Sequence, residues 1–517
     1  MPDSELKLWP IHGGLALPSW AEAATAESIS TIELPPEIIL PLNQHAGTAA
    51  VPIVKAGDKV LRGQPVAVAD ELISAALHAS TSGRVTGIEE RPLPEPDDRR
   101  GPCIVMTPDG NDAAFPAMTP LADYLGQTPT LIDRRITEAG IVGMGGAAFP
   151  TAVKLRARAE ASLHTLILNG AECDPGINCD DMLMRERADQ ILAGAQATLY
   201  GLQINKCLVA IEDNKQAAIA SMSEGLEDLA DERFRLVQVP ATYPQGGERQ
   251  LIQALTGQEV PSGGLPVDIG YIVQNVGTAC ATYAAVHDGQ PLISRIVTVA
   301  GGGVVQPANV EVRLGTPIAH VIEHCGGYTG DGIRLIVGGA MMGCAVADDA
   351  APVIKGVNSI LVTTAEEVRT DYEARPCIRC GECARVCPAS LLPQQLHWYF
   401  SAEDFERILD HRIFDCIECG CCDYVCPSQI PLTQSFRFAK FEIRSRQRDL
   451  HLADRARQRY AARTQRLESA AEKKRSDRSD PIKTPDQTMS RDDRKKVIAD
   501  VLARSAAKSS EKRKDKN

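Results

Sequence analysis

Eight cysteines in two short runs restrict this chain more than any other feature. The runs are Cys377-Ile-Arg-Cys380-Gly-Glu-Cys383-Ala-Arg-Val-Cys387-Pro388 and Cys416-Ile-Glu-Cys419-Gly-Cys-Cys422-Asp-Tyr-Val-Cys426-Pro427. Both follow C-x2-C-x2-C-x3-C-P. Three cysteines at that step wrap one face of a cubane, while the fourth reaches away and ligates the other cluster. One [4Fe–4S] centre is therefore expected on Cys377, Cys380, Cys383 and Cys426, and a second on Cys416, Cys419, Cys422 and Cys387. Cys421 falls off the spacing and reads as a bystander. Zinc sites use two C-x2-C pairs without a third cysteine at the same step. A disulfide framework belongs to small secreted domains, and this chain has 517 residues.

The remaining cysteines (103, 173, 179, 207, 280, 325, 344 and 421) are scattered, as reduced thiols are. The N-terminus lacks the basic, apolar, small-residue order of a signal peptide, and no apolar run reaches the roughly 18 residues needed to span a bilayer. A soluble, cytoplasmic chain is expected. Aromatic content is only 4%, so aliphatic side chains must fill the cores. Residues 441–517 carry 23 Lys+Arg against 13 Asp+Glu, a balance of +10 in a chain whose net charge is −12. With no aromatic platforms among those charges, nucleic-acid binding is not expected. The tail reads as an exposed helix breaking up into disorder, solvated or facing a membrane surface.

Upstream of the cysteines the chain reads as α/β and multidomain. Residues 30–110 alternate short apolar runs with turn residues and are mostly β. Their Gly-Asp turn at 57–58 and the small-residue turn at 80–83 resemble the hammerhead half of biotinyl and lipoyl domains. Residues 66–78 contain no lysine to modify, so a structural role is expected. Between about 120 and 235, β-rich runs at 163–169 and 207–212 alternate with helical spacing at 181–203 and 215–229, the pattern of a parallel sheet covered by helices. A second β-rich stretch spans about 290–365, with strands at 295–301 and 335–339. Helices are expected between the cysteine runs, over 391–411.

Gly143-Met-Gly-Gly-Ala-Ala-Phe-Pro-Thr-Ala-Val-Lys154 lets backbone approach a phosphate, with a lysine following. It is neither a Walker loop nor G-x-G-x-x-G, because position 148 is Ala. Gly170-Ala-Glu-Cys-Asp-Pro-Gly176 then places carboxylates at a strand's C-terminal end, where open α/β sheets bind ligands. Tyr243-Pro-Gln-Gly-Gly-Glu-Arg249, Pro261-Ser-Gly-Gly264 and Val273-Gln-Asn-Val-Gly-Thr278 are further Gly-rich or polar segments.

Gly143–Lys154, Asn169–Gly176, Gly246–Glu248 and Val273–Thr278 together resemble the flavin and NADH site of the flavoprotein subunit of respiratory complex I. With Gln44-His45-Ala-Gly47 ahead and the cysteine runs behind, residues 10–440 resemble the C subunit of Rnf electron-transport complexes. The resemblance implies FMN, an NADH/NAD site and two [4Fe–4S] clusters. Gly143, Gly145, Gly146 and Lys154 would hold the FMN phosphate. Asn169, Asn275 and Thr278 would contact the flavin or its ribityl chain. Glu172, Asp174, Gly247 and Glu248 would line the nucleotide site, where the acids repel the 2′-phosphate of NADPH. No catalytic acid–base residue is implied.

The chain departs from the family pattern at Ala148 (Gly expected; Ala is tolerable there if φ stays negative), at Asp174-Pro-Gly176 (Glu-Pro-Tyr expected) and at Ala340 (Pro expected). The expected segments are a hammerhead-like barrel-sandwich domain (1–115), a Rossmann-like FMN/NADH domain (116–288), an SLBB or β-grasp-like domain (289–366), a helical two-cluster ferredoxin-like domain (367–440) and the charged tail (441–517). Implied partners are other subunits of a membrane complex, among them an iron–sulfur subunit, with ferredoxin reached indirectly. The implied place is the cytoplasmic side of the inner membrane, peripherally. Two rivals are a soluble hydrogenase or formate-dehydrogenase diaphorase and a ferredoxin-like adaptor without flavin. A related complex that keeps a redox-sensing transcription factor reduced shares these features.

Overall fold

Runs of β-branched and aliphatic residues become four parallel strands in the order Phe234–Val239, Cys207–Glu212, Thr165–Gly170, Tyr271–Asn275. The structure, a computed structural model, describes residues 7–18, 22–71, 73–96, 98–121, 123–156, 162–368, 373–479 and 489–514. Cys207–Glu212 is buried along its whole length and Leu166–Leu168 has no exposed surface, as a parallel sheet covered on both faces requires. The helical spacing over 181–203 is realised as two helices, Cys179–Glu186 and Ala188–Leu202. Arg187 breaks the run by leaving helical geometry, and its guanidinium pairs with Glu311 at 2.6 Å. Helix Ala188–Leu202 lies directly on helix Val276–His287. A Cβ on Gly194 would stand 1.9 Å from the Ala279 carbonyl, so only glycine allows that approach.

The N-terminal segment forms two antiparallel sheets. One orders Ile38–Pro41, Arg100–Pro108, Gly83–Pro92 and Lys59–Val60, and the other Val51–Pro52, Pro65–Val68 and Leu77–His78. A six-stranded mixed sheet follows the parallel one in the chain, and it includes strands Ser294–Ala300 and Gly332–Val337. Helix Ile318–His324 buries Ile318, Val321 and Ile322 against its valines. Ser30–Thr31 crosses from the N-terminal segment to pair with Ala308–Arg313 at its edge. These segments, with the cysteine region to Lys440, make up one unit of the chain.

The second unit, Phe441–Asn517, contains most of helix Leu432–Ser479 and all of helix Arg491–Lys514. The tail's second helix thus replaces the disorder expected for it, because Ala, Arg and Lys are good helix formers even where nothing is buried. Among the described residues no helix is long and apolar enough to cross a membrane.

Candidate functional site

The glycine loop is closed at its neck and open at its tip. Val142 and Pro150 form an isolated bridge, and the Gly143 N–H donates to the Phe149 carbonyl at 2.8 Å. At Gly146, with φ +105°, an added Cβ would meet nothing within 4 Å. Ala148 takes φ +46°, so the condition under which Ala is easily tolerated there is not met. Its carbonyl accepts from the Ala46 N–H at 3.1 Å, which ties it to the Gln44–Gly47 segment. The cost of a non-glycine residue there is about 1–2 kcal/mol.

The polar residues expected around the loop converge, although most of their side chains shape backbone. Asn275 caps helix Val276–His287 by accepting from Gly277 N–H at 2.8 Å, and its amide donates to Asp180. Thr278 Oγ1 accepts from Met144 N–H at 2.9 Å. Asn169 donates to the Gly246 carbonyl at 2.9 Å and accepts from Ala171 N–H at 3.0 Å. Gly246 has no room for a side chain, since its Cβ would stand 2.1 Å from the Ala171 carbonyl. Lys154 Nζ donates to Glu248 Oε1 at 2.8 Å and to the Val273 carbonyl at 3.0 Å. Gly247 is the N-cap of helix Glu248–Thr256.

Glu172 accepts from Asp180 N–H at 3.1 Å and Asp181 N–H at 3.2 Å, at the start of helix Cys179–Glu186. Burial raises the Glu172 carboxyl, the charge of Asp180 raises it further, and burial raises Asp180 too. The pair thus holds protons more tightly than ordinary carboxylates. Asp174 goes elsewhere. Its carboxylate accepts from Met341 N–H at 3.2 Å and Met342 N–H at 3.1 Å, on a turn that follows strand Gly332–Val337. Burial pushes it up to about 6.

The cysteine runs fold as two copies of one backbone. Arg379 and Glu418, Gly381 and Gly420, and Ser390 and Gln429 all have positive φ at matching positions. Short helices Glu382–Arg385 and Cys421–Tyr424 match as well. Cys377, Cys380, Cys383 and Cys426 line one cavity, whereas Cys387, Cys416, Cys419 and Cys422 line another. Each cavity thus takes three cysteines from one run and the last from the other. Amide N–H groups of Leu391, Glu418 and Ile430 point to Cys387, Cys416 and Cys426 sulfurs at 3.4, 3.4 and 3.5 Å. Cys421, expected as a bystander, is buried and also lines the second cavity.

That second cavity abuts the segments that frame the glycine loop. Tyr243 O–H donates to the Cys419 carbonyl at 2.6 Å, and Gln250 to the Pro388 carbonyl at 3.5 Å. The His12 ring lies 2.8 Å from the Cys387 carbonyl. Tyr243, Cys419 and Cys421 form an apolar cluster with Cys173 and Met341. Sequence reasoning placed Tyr243 in a motif without giving it this role, and it missed two buried cations, Arg295 and Lys355. The available signal was a charged residue inside an apolar run: Ser294-Arg-Ile-Val and Pro352-Val-Ile-Lys.

Comparison with known proteins divides the chain in the same order. Residues 9–111 match the RnfC barrel sandwich hybrid domain, 136–284 the Nuo51 FMN-binding domain, 296–345 the SLBB domain and 376–430 the 4Fe-4S dicluster domain. The C subunit of the ion-translocating oxidoreductase complex of Pseudomonas aeruginosa is 47% identical over 466 residues, 90% of this chain and 60% of that protein. The protein of that name from Rhodobacter capsulatus is 44% identical over 446 residues, 86% of this chain and 85% of that one. The one from Erwinia tasmaniensis is 42% identical, covering 89% of this chain and 57% of its own length. This chain thus spans about 60% of the Pseudomonas and Erwinia relatives and most of the Rhodobacter one.

Proposed function

The chain belongs to the family of C subunits of ion-translocating oxidoreductase complexes, and from that premise we propose that it is the NADH-oxidising (or NAD-reducing) electron-input subunit of such a complex. The observation that carries this reading is the pair of four-cysteine cavities, one of them bonded through Tyr243 to the segments that frame the glycine loop. The residues present fit the cofactors. The loop has open space at Gly146 where a side chain would intrude, and the eight motif cysteines divide four and four, none in a disulfide. When bound, FMN takes electrons in pairs as hydride and gives them up singly, and the iron–sulfur clusters carry single electrons.

The chain's own residues bind and orient. Gly143, Gly145, Gly146 and Lys154 hold the FMN phosphate, with Lys154 exchanging its bond to Glu248 for the anion. Asn169, Asn275 and Thr278 fix the backbone on which the flavin rests. Glu172, Gly247 and Glu248 border the nucleotide. Glu172 and Asp180 hold a proton beside the site at neutral pH. Asp174 would border the nucleotide with a carboxylate that also accepts from Met341 and Met342 N–H. The cavity of Cys387, Cys416, Cys419 and Cys422 lies next to the flavin segments. That of Cys377, Cys380, Cys383 and Cys426, with exposed Cys380, faces the next carrier, an iron–sulfur subunit on the route to ferredoxin. Attachment to the cytoplasmic face of the inner membrane is then through partner subunits.

An anaerobic NADH titration of the cluster-reconstituted chain with FMN added tests this reading. Flavin bleaching followed by loss of cluster absorbance is expected. Intact clusters with no FMN binding and no bleaching would leave a ferredoxin-type adaptor and remove the flavin assignments.

A further inference from the structure

Two cations from the downstream β-rich segment stand behind the glycine loop. Arg295, on strand Ser294–Ala300, is 4% exposed, and its guanidinium donates to the Met144 carbonyl at 3.2 Å and to the Lys355 carbonyl. Lys355 is 1% exposed, and its ammonium donates to the Gly140 carbonyl at 2.6 Å and the Ala76 carbonyl at 2.8 Å. Its own backbone N–H reaches Gln44 Oε1 at 3.3 Å, which brings in the Gln44–Gly47 motif. A Cβ on the next residue, Gly356, would sit 3.3 Å from the Gly146 carbonyl. The loop is therefore backed by all three β-containing segments.

Among the described residues neither cation forms an ion pair with a carboxylate, and the carbonyls that accept from them belong to the main chain. Cys179, Asp180 and Glu172 face Arg295; burial raises all three, so the Glu172–Asp180 pair, which shares a proton, offsets the guanidinium only in part. His45 and His78 face Lys355, and burial lowers both, favouring their neutral rings. Burying a charge with no carboxylate in direct contact costs several kcal/mol. Part of that is met at Lys355, which lies at the C-terminal end of helix Pro129–Glu138, where a cation is favoured. Burial still pushes its ammonium down to about 7. A neutral residue of similar length would satisfy the packing at lower cost. What a neutral residue would lack is positive potential behind a loop whose open side is shaped for an anion.

We propose that Arg295 and Lys355 are positioning residues of the flavin site, Arg295 holding the inner side of the Gly143–Phe149 loop at Met144 and Lys355 the chain entering it at Gly140, and that they set a positive potential behind the loop. The inference rests on FMN binding at that loop. The potential favours the cofactor's phosphate and its more negative reduced form. Because both charges are buried, salt screens the effect little.

The test uses the full cluster-reconstituted chain at pH 6, where Lys355 is charged, with Arg295→Gln, Lys355→Met, Arg295→Lys and Lys355→Arg. It reads thermal melting, the FMN dissociation constant and the flavin midpoint potential. Arg295→Gln and Lys355→Met each weaken FMN at least tenfold and lower the potential by about 30 mV, the tenfold step for a two-electron couple, at low and high salt alike. Arg295→Lys and Lys355→Arg keep the charge and stay near the wild-type potential while binding FMN less tightly. If the neutral variants do not fold, the charge-keeping pair decides, since a potential lowered in them overturns the proposal. Folded neutral variants with unchanged potential overturn it as well. A wild-type chain that binds no FMN instead defeats the flavin reading on which it rests.

Discussion

Crossed ligation makes a prediction about non-additivity. In the structure Cys387 lines the cavity of Cys416, Cys419 and Cys422, although it belongs by sequence to the first run, and Cys426 is exchanged in the opposite sense. Replacing Cys387 by Ala removes one of four thiolates from the second cavity only. A cubane held by three cysteines is lost on purification, so iron falls from ~8 to ~4 per chain, whereas the other cluster persists. Adding Cys416→Ala strikes the same cavity, so the double variant still holds ~4 iron per chain. Adding Cys377→Ala strikes the other cavity and takes iron to roughly zero. Ligation within each run predicts the reverse: Cys387→Ala with Cys377→Ala would retain half the iron, and Cys387→Ala with Cys416→Ala none. Iron and acid-labile sulfide assays, with electron paramagnetic resonance of the dithionite-reduced chains, separate the two patterns. Near-complete loss of iron in Cys387→Ala plus Cys416→Ala would refute the crossing. The comparison holds even if every variant is less stable, because the reading lies in which pair behaves as one site.

Single contacts give two more expectations. Tyr243→Phe keeps the ring, so it opens no cavity, but leaves the buried Cys419 carbonyl without its donor; the cluster-loaded chain should lose about 1–3 kcal/mol and the adjacent cluster's potential should fall, while unchanged melting and potentials would show the bond to be idle. Asp174 has its carboxyl raised from 3.8 to about 6 by burial, so the folded state binds the proton more tightly and stability is lost as pH rises through that window; urea unfolding at pH 4 and pH 7 should show wild type losing up to about 3 kcal/mol relative to Asp174→Asn, and parallel pH profiles would contradict it.

What the sequence disclosed was local. Cysteine spacing, glycines at 143, 145 and 146, and apolar strand runs each carry their meaning within a dozen residues. Strand Cys207–Glu212 appears within the limits its β-branched and aliphatic run suggests. The less legible parts are long-range. Asp174 stood in a motif at a strand end, but the N–H groups that capture it belong to Met341 and Met342, 167 and 168 residues downstream. Ala148 was readable as tolerable only at negative φ, but the structure gives it a positive φ and a bond from Ala46, distant in sequence. Arg295 and Lys355 interrupt apolar runs, and only the tertiary structure places them behind the glycine loop.

The same non-local contacts order the electron route on this reading. Tyr243 sits three residues before Gly246, in the segment that meets Asn169, and its hydroxyl ends on Cys419. The sulfur of Cys173, beside Glu172, packs into the same apolar cluster as Tyr243 and Met341 and accepts from Gly246 N–H at 3.3 Å. That side-chain cluster is apolar, and with the cofactors bound as proposed the later of the two runs would lie on the flavin side and receive electrons first. The crossing then has a consequence for handover. Cys387 lines the cavity nearer the glycine loop yet belongs to the chain segment that carries Cys377, Cys380 and Cys383, so two clusters bound as proposed would be joined by short stretches of one backbone. A shift in either run would then move a ligand of both, and the distance an electron must cross between them would be set by the backbone of the runs themselves.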